Sequence, residues 1–163
     1  MPNRSTPALK VLEASGVPAT VHEYELPDRP ADGRHAYGRE AAAALGIDED
    51  RIFKTLVVRV DDQLVLAVVP VDGEVDLKAL AGVVGARRAV LADAAEAERA
   101  TGYVVGGISP IGGRRRLPTV VDVRAMELDS MLVSAGRRGL QVELAPGSLV
   151  ALTAAVVAGI SRR

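Results

Sequence analysis

No cysteine occurs in this chain, so disulfides, thiolate metal sites and a cysteine nucleophile are excluded. Tryptophan is absent too, and the aromatics reduce to Tyr24, Tyr37, Phe53 and Tyr103. A core must therefore be built from Val, Leu, Ile and Ala, and base-stacking surfaces are scarce. Charge of either sign is not in excess: the formal net charge is −1, so no global field steers the chain toward nucleic acid or membrane. A grip on a polyanion has to come from a local patch. No apolar run reaches the length of a membrane span, and the N-terminus lacks a charged-then-apolar signal pattern; the expected location is cytoplasmic. Histidine occurs twice, as His22 and His35, a spacing that forms no metal-ligand motif.

What is present is aliphatic: 48% of the 163 residues are hydrophobic, enough for one sizeable core, and the chain is expected to form a single domain over 1–163. The clearest strand is Arg51–Val60, rich in β-branched residues and flanked by acidic, turn-like residues. Alternation puts Ile52, Lys54, Leu56, Val58 and Val60 on one face. Lys54, one of only three lysines with Lys10 and Lys78, is the single charge on that face. Either its end of the face opens into a pocket that holds an anion, or the side chain snorkels to water.

Around this strand the pattern predicts helices at Pro7–Ser15, Tyr37–Leu45, Leu77–Val84 and Ala94–Thr101, and a long final helix over Pro146–Ile160. Strands are predicted at Ala19–Glu25, Leu64–Val69, Arg87–Leu91, Thr119–Val123, Ser130–Ser134 and Leu140–Leu144. Pro27–Gly33 reads as a polar loop. So many strands joined by tight turns favour an α/β (α+β type) fold: a mixed, largely antiparallel sheet with flanking helices.

Tyr103–Gly113 is the other unusual stretch, with four glycines and a proline after a short apolar strand. Gly107 and Gly112 have P-loop spacing, but Gly113-Arg114 stand where Lys and Ser/Thr are required, so nucleotide hydrolysis is not supported. The stretch is either a plain glycine turn or a backbone wall whose N–H groups face a substrate carbonyl. Ser109 and Ser134 are nucleophiles by residue type alone, without G-x-S-x-G or a credible triad. Arg114, Arg115 and Arg116, with Arg137 and Arg138, are either solvated turns or a grip on RNA phosphates.

Three stretches together carry a resemblance: Phe53-Lys54-Thr55-Leu56, then Thr101 to Gly112, then Val133-Ser134-Ala135-Gly136-Arg137-Arg138-Gly139-Leu140. Thr6-Pro7-Ala8 with Leu12, and Leu117-Pro118-Thr119, fit as well. They resemble the YbaK/EbsC family, on the side of its Cys-tRNA(Pro) deacylase branch, over nearly the whole chain. The family is related to the editing domain of bacterial prolyl-tRNA synthetases. The resemblance implies a YbaK-like, barrel-like mixed sheet, no metal and no redox cofactor. It implies a deacylase acting on aminoacyl-tRNA, tRNA(Pro) foremost, with prolyl-tRNA synthetase as a candidate partner. It makes Lys54 the functional residue and Gly106, Gly107, Ile108, Ser109 and Pro110 the cradle of the aminoacyl group and terminal adenosine. Tyr24, Tyr37, Thr55, Ser134 and Gly136 fall at pocket positions. Gln141 departs from the pattern, since the branch often has an acid just after the R-G-L stretch. The rival readings are a non-catalytic RNA- or synthetase-binding module, and a deacylase for alanine or another small amino acid.

Overall fold

The computed structural model describes residues 5–26 and 36–163, so His35 and the Pro27–Gly33 loop lie outside the described residues. Helix α1 (Pro7–Ser15) starts where Thr6 caps it, its Oγ1 accepting from the Leu9 N–H, and ends on Gly16 in the left-handed conformation. Strand β1 (Ala19–Glu23) and helix α2 (Ala36–Leu45) follow. A short 3-10 turn, Glu49–Arg51, then leads into β2 (Phe53–Val60), β3 (Gln63–Pro70), β4 (Glu74–Val75) and α3 (Leu77–Val84). Next come β5 (Ala89–Leu91), α4 (Ala94–Thr101), β6 (Thr119–Asp122), β7 (Met131–Arg137), β8 (Leu140–Leu144), α5 (Pro146–Thr153), β9 (Val156–Ala158) and β10 (Ser161–Arg162). Asp76 and Asp93 cap α3 and α4 from their side chains, as their positions before apolar runs predict.

The main sheet has the order β5-β2-β3-β6-β9, antiparallel on the β5, β2, β3 side and parallel from β3 through β9. A three-stranded antiparallel sheet, β1-β8-β7, abuts it through a bridge between Ile52 and Leu132, and β4 pairs with β10. This is the mixed, largely antiparallel arrangement expected. Leu56, Val58 and Val60 pack toward Leu80 of α3, while Val57 packs toward Ala97 and Ala100 of α4. The two sheets share a core in which Phe53, Val68, Val133 and Val142 are all buried. Burying an aliphatic or phenyl side chain of this size contributes about 1.5–3 kcal/mol each.

Two expectations are corrected. The last helix stops at Thr153, not Ile160, because Ala154 turns left-handed (φ 53°) and β9 then pairs with the open edge of β6. An all-aliphatic run has no polar period to mark a helix face, and Val156-Val157 suits a strand. Tyr103–Val105 is not a strand either; the Tyr103 hydroxyl donates to the Ile111 carbonyl at 2.6 Å and closes the segment into a loop.

One polar cluster ties the sheets together. Glu143 on β8 accepts from Ser130 Oγ, accepts from Arg51 Nη2 at 2.8 Å and meets His22 Nε2 at 2.8 Å. His22 is thus held in a structural contact on β1. The Ser130 hydroxyl first, then His22, hold the Glu143 carboxyl below its usual range, against the opposing effect of burial. The folded state then binds this proton less tightly than the unfolded chain. Its stabilisation is complete above the ordinary glutamate value of 4.5 and fades as pH falls through the lower folded value. Glu143→Gln is therefore expected to lower stability at neutral pH and to flatten its decline below about pH 4.5, as read by denaturant unfolding at stepped pH; an unchanged acid slope would mean the cluster carries no linkage.

Candidate active site

The Lys54–Val57 stretch of β2 forms one side of a mainly apolar cavity of about 140 Å³. Phe53, Ala92, Ala97 and Ile108 supply apolar wall, and Tyr37, Thr55, Ser134 and Gln141 supply polar groups. Burial is the largest influence on the Lys54 ammonium and pushes its pKa below the usual lysine range; Glu74 pulls it back up and Arg39 adds to the depression. Lys54 lines a cavity at the end of its aliphatic face.

Two buried polar atoms at the cavity, Thr55 Oγ1 and Gln141 Oε1, have no hydrogen-bond partner among the described residues. Such atoms are costly unless something donates to them. Gln141 was singled out only as a departure from a pattern; its register places it between His22 of β1 and Ser134 of β7, in the middle of the smaller sheet. Ser134 Oγ accepts from the Gly136 N–H at 3.2 Å. No group of three or more metal-ligating side chains occurs among the described residues.

The glycine loop reaches the cavity through Val105, Gly106 and Ile108. Gly106 has φ 98°, and a Cβ there would stand 3.2 Å from the Tyr37 ring. A Cβ on Gly107 would lie 2.5 Å from Arg137 Cα and 2.7 Å from Arg138 N, so only glycine lets the loop seat on the β7–β8 turn. Ser109 is buried and accepts from the Ile111 N–H at 3.2 Å, bracing the loop from behind. Tyr24, Gly107, Ser109, Pro110 and Gly136 consequently stand outside the cavity lining, whereas Lys54, Tyr37, Thr55, Gly106, Ile108 and Ser134 are brought together on it. Gly38, Leu91 and Ala94 also line it and had no distinguishing signal, being small or aliphatic residues on ordinary elements.

The two arginine runs differ in exposure and partners. Arg114, Arg115 and Arg116 are exposed. Arg138 instead forks onto Glu40 of α2, Nε to Oε1 at 2.8 Å and Nη2 to Oε2 at 2.6 Å, and its guanidinium lies 5.1 Å from the Tyr37 ring centre. Tyr37 is thereby held between Arg138 and Gly106. Arg137 Nη2 donates to Glu23 Oε2 at 3.1 Å. The hairpin arginines are each paired with a carboxylate, contacts that no spacing rule distinguishes from a solvated turn.

A mixed sheet with helices on both faces and a lysine at the mouth of an apolar cavity defines a class before it defines a family. The match to the aminoacyl-tRNA editing domain model spans residues 34–152, and the chain belongs to that family. It is 37% identical over 151 residues to the "putative Cys-tRNA(Pro)/Cys-tRNA(Cys) deacylase EbsC" of Enterococcus faecalis, covering 92% of this chain and 89% of that protein. It is 37% identical over 117 residues to the proline–tRNA ligase of Shouchella clausii, where it spans 20% of the longer protein. A solved structure described as "a putative trans-editing enzyme for prolyl tRNA synthetase" superposes with a TM-score of 0.81 at 28% identity, covering 98% of this chain and 99% of that one.

Gly107→Ala is expected to destabilise the protein by about 2 kcal/mol or more, because backbone atoms of the hairpin must move. Gly147→Ala, at an exposed site in α5 with nothing within 4 Å, is expected to be neutral or stabilising. Chemical denaturation of both variants checks the contrast; equal effects would mean the loop is not seated on the hairpin.

Proposed function

We propose that this chain removes misattached amino acids from tRNA, with cysteinyl-tRNA(Pro) as the preferred substrate and Lys54 as the catalytic residue. The observation that carries the reading is a partly buried ammonium at an apolar cavity sized for one small side chain. An aminoacyl ester is already activated, so positioning and electrostatics suffice. In this reading the Lys54 ammonium hydrogen-bonds the ester carbonyl, and its charge acts strongly because the surrounding wall is apolar. The Gly106 side of the loop and Tyr37 bound the aminoacyl group, and Thr55 Oγ1 and Gln141 Oε1 accept from its ammonium.

No cysteine is available as a nucleophile, and the hydrogen bond found at Ser134 Oγ is one it accepts from the Gly136 N–H, not one it donates to a base. That favours attack by the substrate's own thiol. The sulfur–carbonyl carbon bond forms, the carbon–ribose oxygen bond breaks, the thiol proton ends on the released ribose hydroxyl, and a thiolactone departs. Proline has no side-chain nucleophile, so the correct product is spared by chemistry where volume alone would discriminate weakly. Exposed Arg114, Arg115 and Arg116 are candidate contacts to the tRNA body, and a synthetase is a candidate partner for delivery.

Lys54→Met is expected to lower kcat/KM on Cys-tRNA(Pro) by about 10²–10³-fold. It should preserve or raise Tm at neutral pH. Burial disfavours the ammonium, so its cost is present in full at neutral pH and is relieved only as pH rises through the depressed folded value toward 10.5. Equal activity of a folded Lys54→Met protein would refute the assigned role. Cysteine should be released well over about a hundredfold faster than alanine from the same tRNA, with a trapped thiolactone as product; matched rates would point to a water activated in the cavity and to a general small-residue deacylase.

A further inference from the structure

A second cavity, of about 470 Å³ and lined largely by charged residues, adjoins the first. Consecutive residues of α2 line the two, Tyr37 and Gly38 the first and Arg39 the second. The partition is tight: a Cβ on Gly38 would lie 2.3 Å from Val71 Cγ2, and Val71 is itself in the wall of the second cavity. The other wall is the C-terminal strand, which brings in Arg162 and Arg163. Pairing of β10 with β4 sets Arg162 opposite Glu74, so its backbone is fixed and little ordering remains for a ligand to impose.

The charges in this cleft do not cancel. Asp72 is matched by Arg124, whose Nη2 donates to it at 2.9 Å. Arg124 Nη1 remains buried with no hydrogen-bond partner among the described residues, near the Gly73 backbone of the same wall. Arg39, Arg162 and Arg163 then share the lining with Glu74, the other carboxylate side chain among the described residues that line it. Arg39 also reaches Glu49, but at 3.6 Å and on an exposed surface, a contact worth little and easily exchanged. The same cleft is in electrostatic touch with Lys54: Glu74, Arg39 and Asp72 are the charges that act on its ammonium.

We propose that this cleft binds the phosphodiester backbone of a single-stranded RNA 3′ end whose terminal ester lies at Lys54. This rests on the deacylase reading for the direction of the strand. Planar guanidinium groups suit phosphate, offering paired donors along with charge. A nucleotide chain entering over Arg162 and Arg163 passes Arg39 and delivers its last ribose to the apolar cavity.

The test is binding of a short RNA hairpin that carries no amino acid and has a single-stranded ACCA 3′ end, by fluorescence anisotropy over a salt series. A blunt version of the same hairpin serves as the comparison. The wild-type chain is expected to favour the overhang. Arg162→Ala with Arg163→Ala should bind the overhang RNA about tenfold more weakly, with a salt slope shallower by about one to two units, and should no longer favour it over the blunt RNA. Replacing both by lysine should restore most of the slope, which a merely structural role would not. Unchanged binding, an equal loss on both RNAs, or no RNA binding by the wild type would overturn the cleft as the 3′-end site. Loss confined to an Arg114, Arg115 and Arg116 triple alanine variant would do the same. A chain that binds as expected yet releases no amino acid would refute the deacylase reading alone; one that deacylates but ignores Arg162 and Arg163 would refute the cleft alone.

Discussion

Keeping an ammonium charged at the edge of an apolar cavity is the constraint on which the rest of this structure depends. Desolvation works against the charge on Lys54, and the protein tolerates this because Lys54 sits near the start of β2, where the aliphatic face ends. Further along the same face Val58 and Val60 are sealed under α3, so a lysine two or three positions on would have no such opening. Carboxylates at the far wall, Glu74 and Asp72, favour the ammonium from a distance without entering the cavity lining. The result is a partly desolvated cation on the lining of an apolar cavity, where its field acts more strongly than it would in bulk water.

Everything else in the site holds its walls still. Gly106 and Gly107 let the loop lie on the hairpin and on Tyr37 without side-chain interference, while Tyr103 and Ser109 brace the loop from inside the core. The Arg138–Glu40 fork joins α2 to the hairpin and backs the Tyr37 ring. A bidentate, largely buried pair of this kind fixes geometry even where its net contribution to stability is small. In the same way the Glu143 cluster joins Arg51, at the entrance to β2, to β1 and β8, which sets the strand that carries Lys54.

Much of the framework was legible because it rests on local signals. Caps at Thr6, Asp76 and Asp93, stops at Gly16, Gly85 and Gly102, and alternation in β2 and β3 each have a short-range cause. Lys54 stood out for the same reason, as a lone charge on an alternating aliphatic face. The β9 strand was not legible, since its partner β6 lies more than thirty residues away and its aliphatic run fits either period. The fate of the arginine runs was equally hidden: Arg138 is paired through Glu40, a contact no spacing rule predicts, and Ser109 is buried while its neighbour Ile108 lines the cavity. Gln141 looked like a simple departure, whereas the fold makes it a buried acceptor at the heart of the cavity.

The proposed role of Lys54 depends on where the ester carbonyl lies relative to its ammonium. A structure of the chain with a cysteinyl adenosine whose ester is replaced by a non-cleavable 3′-amide tests this most directly. The carbonyl oxygen is expected within hydrogen-bond reach of Lys54 Nζ, with the cysteinyl side chain between Tyr37, Gly106 and Ile108. A ligand seated elsewhere, or one bound in the cavity with Lys54 turned away into bulk water, would contradict it.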